Sequence, residues 1–241
     1  TTTYIKEKYL LLMLLAFDNE EKKCTAIHLN RDTMVDMNIL GVAGQKVGTV
    51  YKQLALAHTY GNGKDVSCRN TADAVSGLLN GVKVNHYLSI TMDAVPVLND
   101  LLGGVEVTVL DDFTGIDDSL KKGETVTLHG EQALTYVRTR YGLEDSSNST
   151  RMVRQKQYLN AIYDKAMLRI EEDDEFVVEA SVKLADYIVS DRSVNQLQEL
   201  TKKLSQYELT EIDSIEGNSK VNNGLMEFYP DADSVDEIVF A

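Results

Sequence analysis

Four arginines, Arg138, Arg140, Arg151 and Arg154, fall within residues 131–155, on either side of a polar loop that carries Glu144 and Asp145. The whole chain has 24 Lys plus Arg against 38 Asp plus Glu, a formal net charge of −14. Arginines gathered against so acidic an average point to a local anion site and not to a general attraction for polyanions. Arginine offers a rigid fork of donors that matches phosphate oxygens and stays charged at any relevant pH.

The elements that must hold these arginines are legible. Glu131 to Val137 has helix formers with Ala133, Leu134 and Val137 at helical spacing, and Gly130 before them marks a start. Arg138 and Arg140 are two apart, so on an extended exit from that helix both side chains leave one side of the chain. Ser146, Ser147, Asn148 and Ser149 are N-cap types. The helix they open carries Met152, Leu159, Ile162 and Ala166 on one face. Arg151 and Arg154 are i, i+3 neighbours in its first turns. Cations are unfavourable at that end of a helix unless an anion or an acidic loop neutralises them. The alternative reading of the spacing is a solvated basic face, or arginines paired with Glu144 and Asp145.

A second charged pair stands earlier. Tyr9 to Phe17 is a continuous apolar run, the pattern of a central strand covered on both faces, and Thr25 to Leu29 forms a hairpin with it. The second strand stops at Asn30-Arg31-Asp32-Thr33, a place where open α/β sheets put ligand-binding residues. A surface ion pair in a turn is the plain alternative.

The rest is an alternation of strands and helices, which argues a layered α/β domain. Gly41, Gly44 and Gly48 mark a loop without the spacing of a phosphate-binding fingerprint. Lys52 to Tyr60 reads as a helix, with His58 near its end; Asn70-Thr71 reads as the cap of a helix to Leu79; Asp93 reads as the cap of another, ahead of Pro96. Val105 to Val109 alternates as a strand, and Asp111-Asp112 after it are metal-ligand types more simply read as a solvated turn. Residues 171–175 are a charge run, followed by helices near 176–189 and 194–205, a strand near 208–215 and a tail.

The 241 residues with only 2 prolines show no linker, so a single domain is expected over 1–241. The acidic balance argues against sequence-independent nucleic-acid binding. Two cysteines, Cys24 and Cys68, are too few for a disulfide framework; one bridge or two small apolar side chains both fit. Leu10 to Phe17 is far short of the roughly 20 apolar residues of a membrane span. The chain starts at Thr1 without Met, and an upstream piece is expected.

Several of these segments together resemble the LytR-CpsA-Psr family of cell-wall glycopolymer ligases of Gram-positive bacteria. They are Asn30-Arg31-Asp32-Thr33, Ala57-His58-Thr59-Tyr60-Gly61 and Leu101 to Val107. After these come Leu128 to Leu134, Tyr136-Val-Arg-Thr-Arg140 and Arg151-Met-Val-Arg-Gln155. Order and spacing agree across about residues 9–170, and the tail agrees less specifically.

The resemblance implies a three-layer α-β-α domain with a central mixed, twisted sheet and an apolar lipid-binding tunnel. It implies an N-terminal membrane anchor outside this chain and a catalytic domain on the extracytoplasmic face. The implied reaction is phosphotransfer: a glycopolymer phosphate moves from a polyprenyl-pyrophosphate carrier to the 6-hydroxyl of muramic acid in peptidoglycan, usually with Mg²⁺. By the same resemblance Arg31, Arg138 and Arg140 would hold the pyrophosphate. Asp32 would orient Arg31 or sit near the metal, and Asp145 would be the general base. Arg151, Arg154 and Gln155 would support the site or contact phosphate.

One position departs from the family. Counting back from Met13-Leu14-Leu15, an aspartate that contacts Mg²⁺ is usual, and here Leu10 stands there, with Glu7 three residues away. That leaves the metal ligand set unknown. It favours, as the alternative, a catalytically weak binder of polyprenyl-phosphate glycolipids; simple pyrophosphate hydrolysis is a third reading.

Overall fold

A computed structural model describes residues 11–145, 147–173, 175–210 and 212–240. In chain order its strands are β1 (Leu12–Asp18), β2 (Lys23–Leu29), β3 (Met34–Leu40), β4 (Lys46–Gln53), β5 (Leu88–Ile90) and β6 (Val105–Thr108). They continue with β7 (Thr125–Leu128), β8 (Ile188–Ser190), β9 (Glu208–Leu209), β10 (Gly217–Asn222) and β11 (Leu225–Pro230). The α-helices are α1 (Asp65–Leu78), α2 (Ala94–Leu101), α3 (Glu131–Arg138), α4 (Asn148–Glu172), α5 (Phe176–Leu184), α6 (Val194–Leu204) and α7 (Ala232–Phe240). The fold is mixed α/β.

β1 and β2 form the expected antiparallel hairpin, turned by Asp18, whose Oδ1 accepts from the backbone N–H groups of Glu20 (2.7 Å) and Glu21 (3.0 Å). β9 adds to β2 in parallel, so the three-stranded sheet is mixed, in the order β1-β2-β9. The central strand is therefore β2, not the more apolar β1. Leu12 and Leu14 of β1 pack inward, while Leu15 (49% exposed) and Phe17 (36%) face out from the sheet edge. A continuous apolar run fits an edge strand as well as a central one, and composition alone does not separate them.

Residues 41–48 are not one loop. β3 and β4 make a hairpin closed at Gly41, and Gly48 lies within β4 opposite Ile39. What read as a helix from Lys52 is the end of β4 followed by a 3-10 turn, Leu54–Thr59. α1 starts at Asp65, so Asn70 and Thr71 sit inside it and do not cap it. Other partners override their capping preference: buried Asn70 donates from Nδ2 to the carbonyl of Ala57 (2.9 Å), a tertiary contact, and Thr71 Oγ1 donates back along its own helix to the Ser67 carbonyl (3.0 Å). Asp93 precedes α2 but makes no side-chain cap. α4 runs on through Glu171 and Glu172 of the charge run, and Asp173 and Glu175 follow outside a helix. The tail folds as the β10–β11 hairpin and α7.

Buried side chains gather in two clusters. One joins β2, β3, the 3-10 turn, α1 and α7 through Ile27, Leu29, Met37, Leu54, Val75 and Val235. The other joins β6, β7, α3, α4 and α5 through Val105, Phe113, Leu128, Tyr136, Tyr158 and Phe176. Cys24 and Cys68 are both buried and free, so they act as small apolar side chains. No helix among the described residues is long and apolar enough to cross a membrane.

Candidate functional site

The turn that ends β2 is built from its own side chains. Asn30 Oδ1 accepts from the Asp32 N–H (3.0 Å), and Thr33 donates to the Asn30 carbonyl from both N (3.1 Å) and Oγ1 (2.6 Å). The 3-10 turn then locks onto it: Ala55 N–H donates to the Arg31 carbonyl (3.0 Å) and Leu54 N–H to that of Thr33 (2.7 Å). From the tail, Phe228 N–H donates to the Asp32 carbonyl (2.9 Å). Gln53 Nε2 donates to Met226 O (2.5 Å) and lies 3.5 Å from Asp32 Oδ1. Arg31 thus leaves a fixed backbone, with its Nε 3.7 Å from Asp32 Oδ1.

The second half comes from α3, α4 and the loop between them. α3 ends at Arg138, and Thr139 is extended (φ −60°, ψ 136°), the exit expected from the sequence. Ser147 caps α4, its hydroxyl accepting from the Thr150 N–H (3.2 Å). Asn148, buried in the first turn, donates from Nδ2 to Asn30 Oδ1 (2.8 Å) and accepts from Arg151 Nη2. That contact ties the start of α4 to the Arg31 turn.

The result is a cationic set around one buried carboxylate. Asp32 is 6% exposed. Burial pushes its carboxyl above the ordinary value, and the nearby Arg31, Arg151 and Arg140 guanidiniums pull it back down. Three of the arginines read from sequence, carried on separate segments, thereby act on the Asp32 carboxyl, with Arg31 in ion-pair range. Nε of Arg31, Nε of Arg140 and Oδ2 of Asp32 are buried with no hydrogen-bond partner among the described residues. Buried polar atoms of this kind need a counterpart, and an anion would supply an acceptor to the two guanidiniums. His28 lies close by in β2, 3% exposed. Burial first, then Arg151 and Lys156, lower its imidazole to about 4, so it is neutral at pH 7.

Arg138 is exposed and turns to the outer side, where it lines an open groove of about 370 Å³ with Arg140, Glu131, Thr135, Ile116 and Tyr141. Arg140 stands over the Tyr141 ring, 4.6 Å from its centroid, and donates to its hydroxyl.

Arg154 and Gln155 are drawn inward. Arg154 is 1% exposed, its Nε 3.2 Å from Asp111 Oδ2, its guanidinium over Phe113 and Tyr136, and it donates to the Thr139 carbonyl. Asp111 is therefore a buried ion-pair partner and not a solvated turn residue. Gln155 donates to the Val137 carbonyl (3.1 Å). Both brace the α3 exit. The acidic loop residues do other work: Glu144 meets Lys122 (3.7 Å). Asp145 accepts from Ser147 N (2.8 Å), Ser147 Oγ (3.1 Å) and Thr150 Oγ1. The Thr150 hydroxyl, then Ser147, hold the Asp145 carboxyl below the ordinary range.

Among the described residues no three His, Cys, Asp or Glu side chains come together as a metal site. Leu10 and Glu7 lie outside the described residues. Asp32 offers one carboxylate with a buried, unbonded oxygen. Mg²⁺ commonly takes one or two carboxylates with substrate phosphates as further ligands, so the residues present fit that mode. Gln53 was not singled out from the sequence, Asn148 was read only as a helix-cap type, and Asn30 only as part of the charged turn. Short polar residues flanking each arginine pair were the only signal, and it is weak until the two segments are known to touch.

Over 149 residues the chain is 34% identical to the polyisoprenyl-teichoic acid–peptidoglycan teichoic acid transferase TagU of Enterococcus faecalis, covering 61% of this chain and 43% of the relative. It is 30% identical over 162 residues to TagT of Bacillus subtilis, likewise named a teichoic acid transferase, covering 63% and 44%. The matched chain spans less than half the length of these curated relatives. In structure it is similar to TagT bound to LI-WTA, with a TM-score of 0.71 at 25% identity over 95% of this chain and 81% of that one. A likeness to an E. faecalis protein described as a transcriptional regulator (TM-score 0.72, 23% identity, covering 95% and 79%) shows the fold alone. The profile of the LytR_cpsA_psr family matches residues 11–240, nearly the whole chain, and the chain belongs to that family.

Proposed function

We propose that this chain is a phosphotransferase that moves a glycopolymer phosphate from a polyprenyl-diphosphate carrier to the 6-hydroxyl of muramic acid in peptidoglycan. The observation that carries the reading is the buried Asp32 carboxyl with Arg31 3.7 Å away, the Asn148 side chain joining that turn to Arg151, and Arg138 and Arg140 lining one groove. The names of TagU and TagT as teichoic acid transferases support it.

In this reading the diphosphate lies on Arg31, Arg138 and Arg140. The acceptor oxygen attacks the phosphorus that bears the glycopolymer. The bond from that phosphorus to the bridging oxygen breaks, and polyprenyl phosphate leaves with the electron pair. Phosphoryl transfer depends chiefly on positioning and charge neutralisation, which preorganised guanidiniums supply. Asp32 orients Arg31 and would hold Mg²⁺ together with diphosphate oxygens, the ion adding charge neutralisation. Asp145 takes the hydroxyl proton; its hydrogen bonds make it a weak base, so the arginines carry most of the rate. Arg151 shapes the field at Asp32, and Arg154 and Gln155 fix the backbone that presents Arg138 and Arg140.

The same reading treats 1–241 as one catalytic domain with a three-layer α-β-α body and an apolar tunnel for the prenyl chain. It works at the extracytoplasmic face, where the membrane-borne carrier and peptidoglycan meet. The family match over 11–240 and the likeness to TagT support that picture. The second reading, a slow or inactive binder of polyprenyl-phosphate glycolipids, is favoured by Leu10. Release of polyprenyl phosphate from a diphosphate-linked glycan separates them. Transfer predicts release that needs a muramyl acceptor and rises with Mg²⁺. Release without acceptor indicates hydrolysis, and no release indicates binding alone.

A further inference from the structure

The two oxygens of the Asp32 carboxylate are held unequally. Oδ1 lies 3.7 Å from Arg31 Nε and 3.5 Å from Gln53 Nε2. Oδ2 is buried with no hydrogen-bond partner among the described residues. The last torsion of an aspartate side chain is broad and roughly two-fold, so the backbone alone does not decide where the second oxygen points. Whatever restrains Oδ1 decides it. Arg31 is a poor sole restraint, because in the proposed reaction its guanidinium must also meet the diphosphate.

Gln53 supplies the other restraint. It closes β4, opposite Met34 of β3 in the ladder, and its side chain reaches across to the tail. Nε2 donates to the Met226 carbonyl of β11 at 2.5 Å and faces Asp32 Oδ1 at the longer distance. A carbonyl and an ionised carboxylate only accept, so the amide turns its NH2 end, with two N–H donors, to both. The short contact anchors the group. The longer one aims an N–H dipole at the anion in a part-buried setting, where it acts more strongly than in water. The backbone beneath is fixed from three segments. Leu54 N–H donates to the Thr33 carbonyl (2.7 Å), Phe228 N–H donates to the Asp32 carbonyl (2.9 Å), and Thr33 and Phe228 form a parallel bridge.

We propose that Gln53 is a positioning residue for Asp32: anchored on β11, it restrains Oδ1 and so sets the direction of Oδ2 and of the Arg31 beside it. One side chain thereby ties the C-terminal hairpin to the anion site. That this serves diphosphate binding rests on the function proposed above; the restraint on Asp32 does not.

Titration of the full chain with a soluble prenyl diphosphate, without added metal, tests this. Gln53→Met keeps the length of the side chain and loses both donors. It should raise Kd about fivefold, the scale of one long hydrogen bond to a charged group. In an Asp32→Asn background the same substitution should change Kd by less than about twofold, because the charge it acts on is gone. Gln53→Lys, a donor of similar reach, should restore affinity when Asp32 is present. A residue that only pins the tail would cost the same affinity in both backgrounds. That result, no loss in either background, or no recovery with lysine, overturns the proposal. Urea unfolding of the parent, the two single variants and the double variant separates the restraint from the diphosphate reading. The midpoint shifts of Gln53→Met and Asp32→Asn should sum to more than the shift of the double variant. If the parent chain binds no prenyl diphosphate, the diphosphate reading falls. Non-additive urea shifts would then leave the Gln53 restraint standing, and additive shifts would remove it as well.

Discussion

Asn148, in the first turn of α4, donates from its side-chain amide to Oδ1 of Asn30 at the end of β2, 2.8 Å away. Asn30 Oδ1 also receives the Asp32 N–H, and Asn148 Oδ1 receives Arg151. Two uncharged amides thus set how the Arg31 turn and the Arg151 helix meet. A double-mutant cycle with Asn30→Ala and Asn148→Ala should show coupling of about 1 kcal/mol in urea unfolding, the net value of a hydrogen bond. Additive single effects would mean that the contact does not join the two segments.

The Arg154–Asp111 pair is buried on both sides. Arg154→Met leaves Asp111 without its cation and should cost about 3–5 kcal/mol of stability. Adding Asp111→Leu should recover a large part of that loss. If Arg154→Met unfolds at the same urea concentration as the parent, the pair is not part of the stabilising core.

His28 gives a pH signature. Its imidazole titrates near 4 when folded against an ordinary value of 6.5, chiefly because it is buried. The folded state binds fewer protons in that window. The stability is therefore present above pH 6.5 and is lost as pH falls towards 4. From this group alone the loss amounts to about 3 kcal/mol. His28→Leu should flatten the pH dependence between those limits. An unchanged slope in unfolding titrations would assign the loss to other groups.

Asp145 is held below the ordinary carboxylate range by Thr150 and Ser147. In the transfer proposed above it is the proton acceptor, and its lowered pKa keeps it ionised through neutral and mildly acidic conditions. The turnover rate should then show no acidic limb from Asp145 between pH 7 and 5. Asp145→Asn should lower it by about a hundredfold, the lower range for a general base. Full activity of Asp145→Asn would remove this residue from the chemistry.

Local pattern carried much of this structure. Helix periodicity located α3 and α4, Ser147 was among the expected caps, and the Thr25–Leu29 strand ended where the charged turn begins. What the sequence could not display was pairing across distance. Nothing local says that Asp111 meets Arg154, that Asn70 would lie within a helix bonded to Ala57, or that the β10–β11 hairpin reaches back to Asp32. Burial was misjudged for the same reason. β1 is more apolar than β2, yet β9 joins β2 and leaves β1 at the edge. The arginines split likewise: Arg31, Arg151 and Arg140 act on the Asp32 carboxyl, while Arg154 serves the fold.

The central claim is that Arg31 and Arg140, from distant parts of the chain, hold one diphosphate. Titration of a soluble prenyl diphosphate into the chain and into Arg31→Ala and Arg140→Ala tests it directly. Each substitution should raise Kd by at least tenfold, as a charge-assisted contact is lost. Unchanged affinity in both variants would contradict the account.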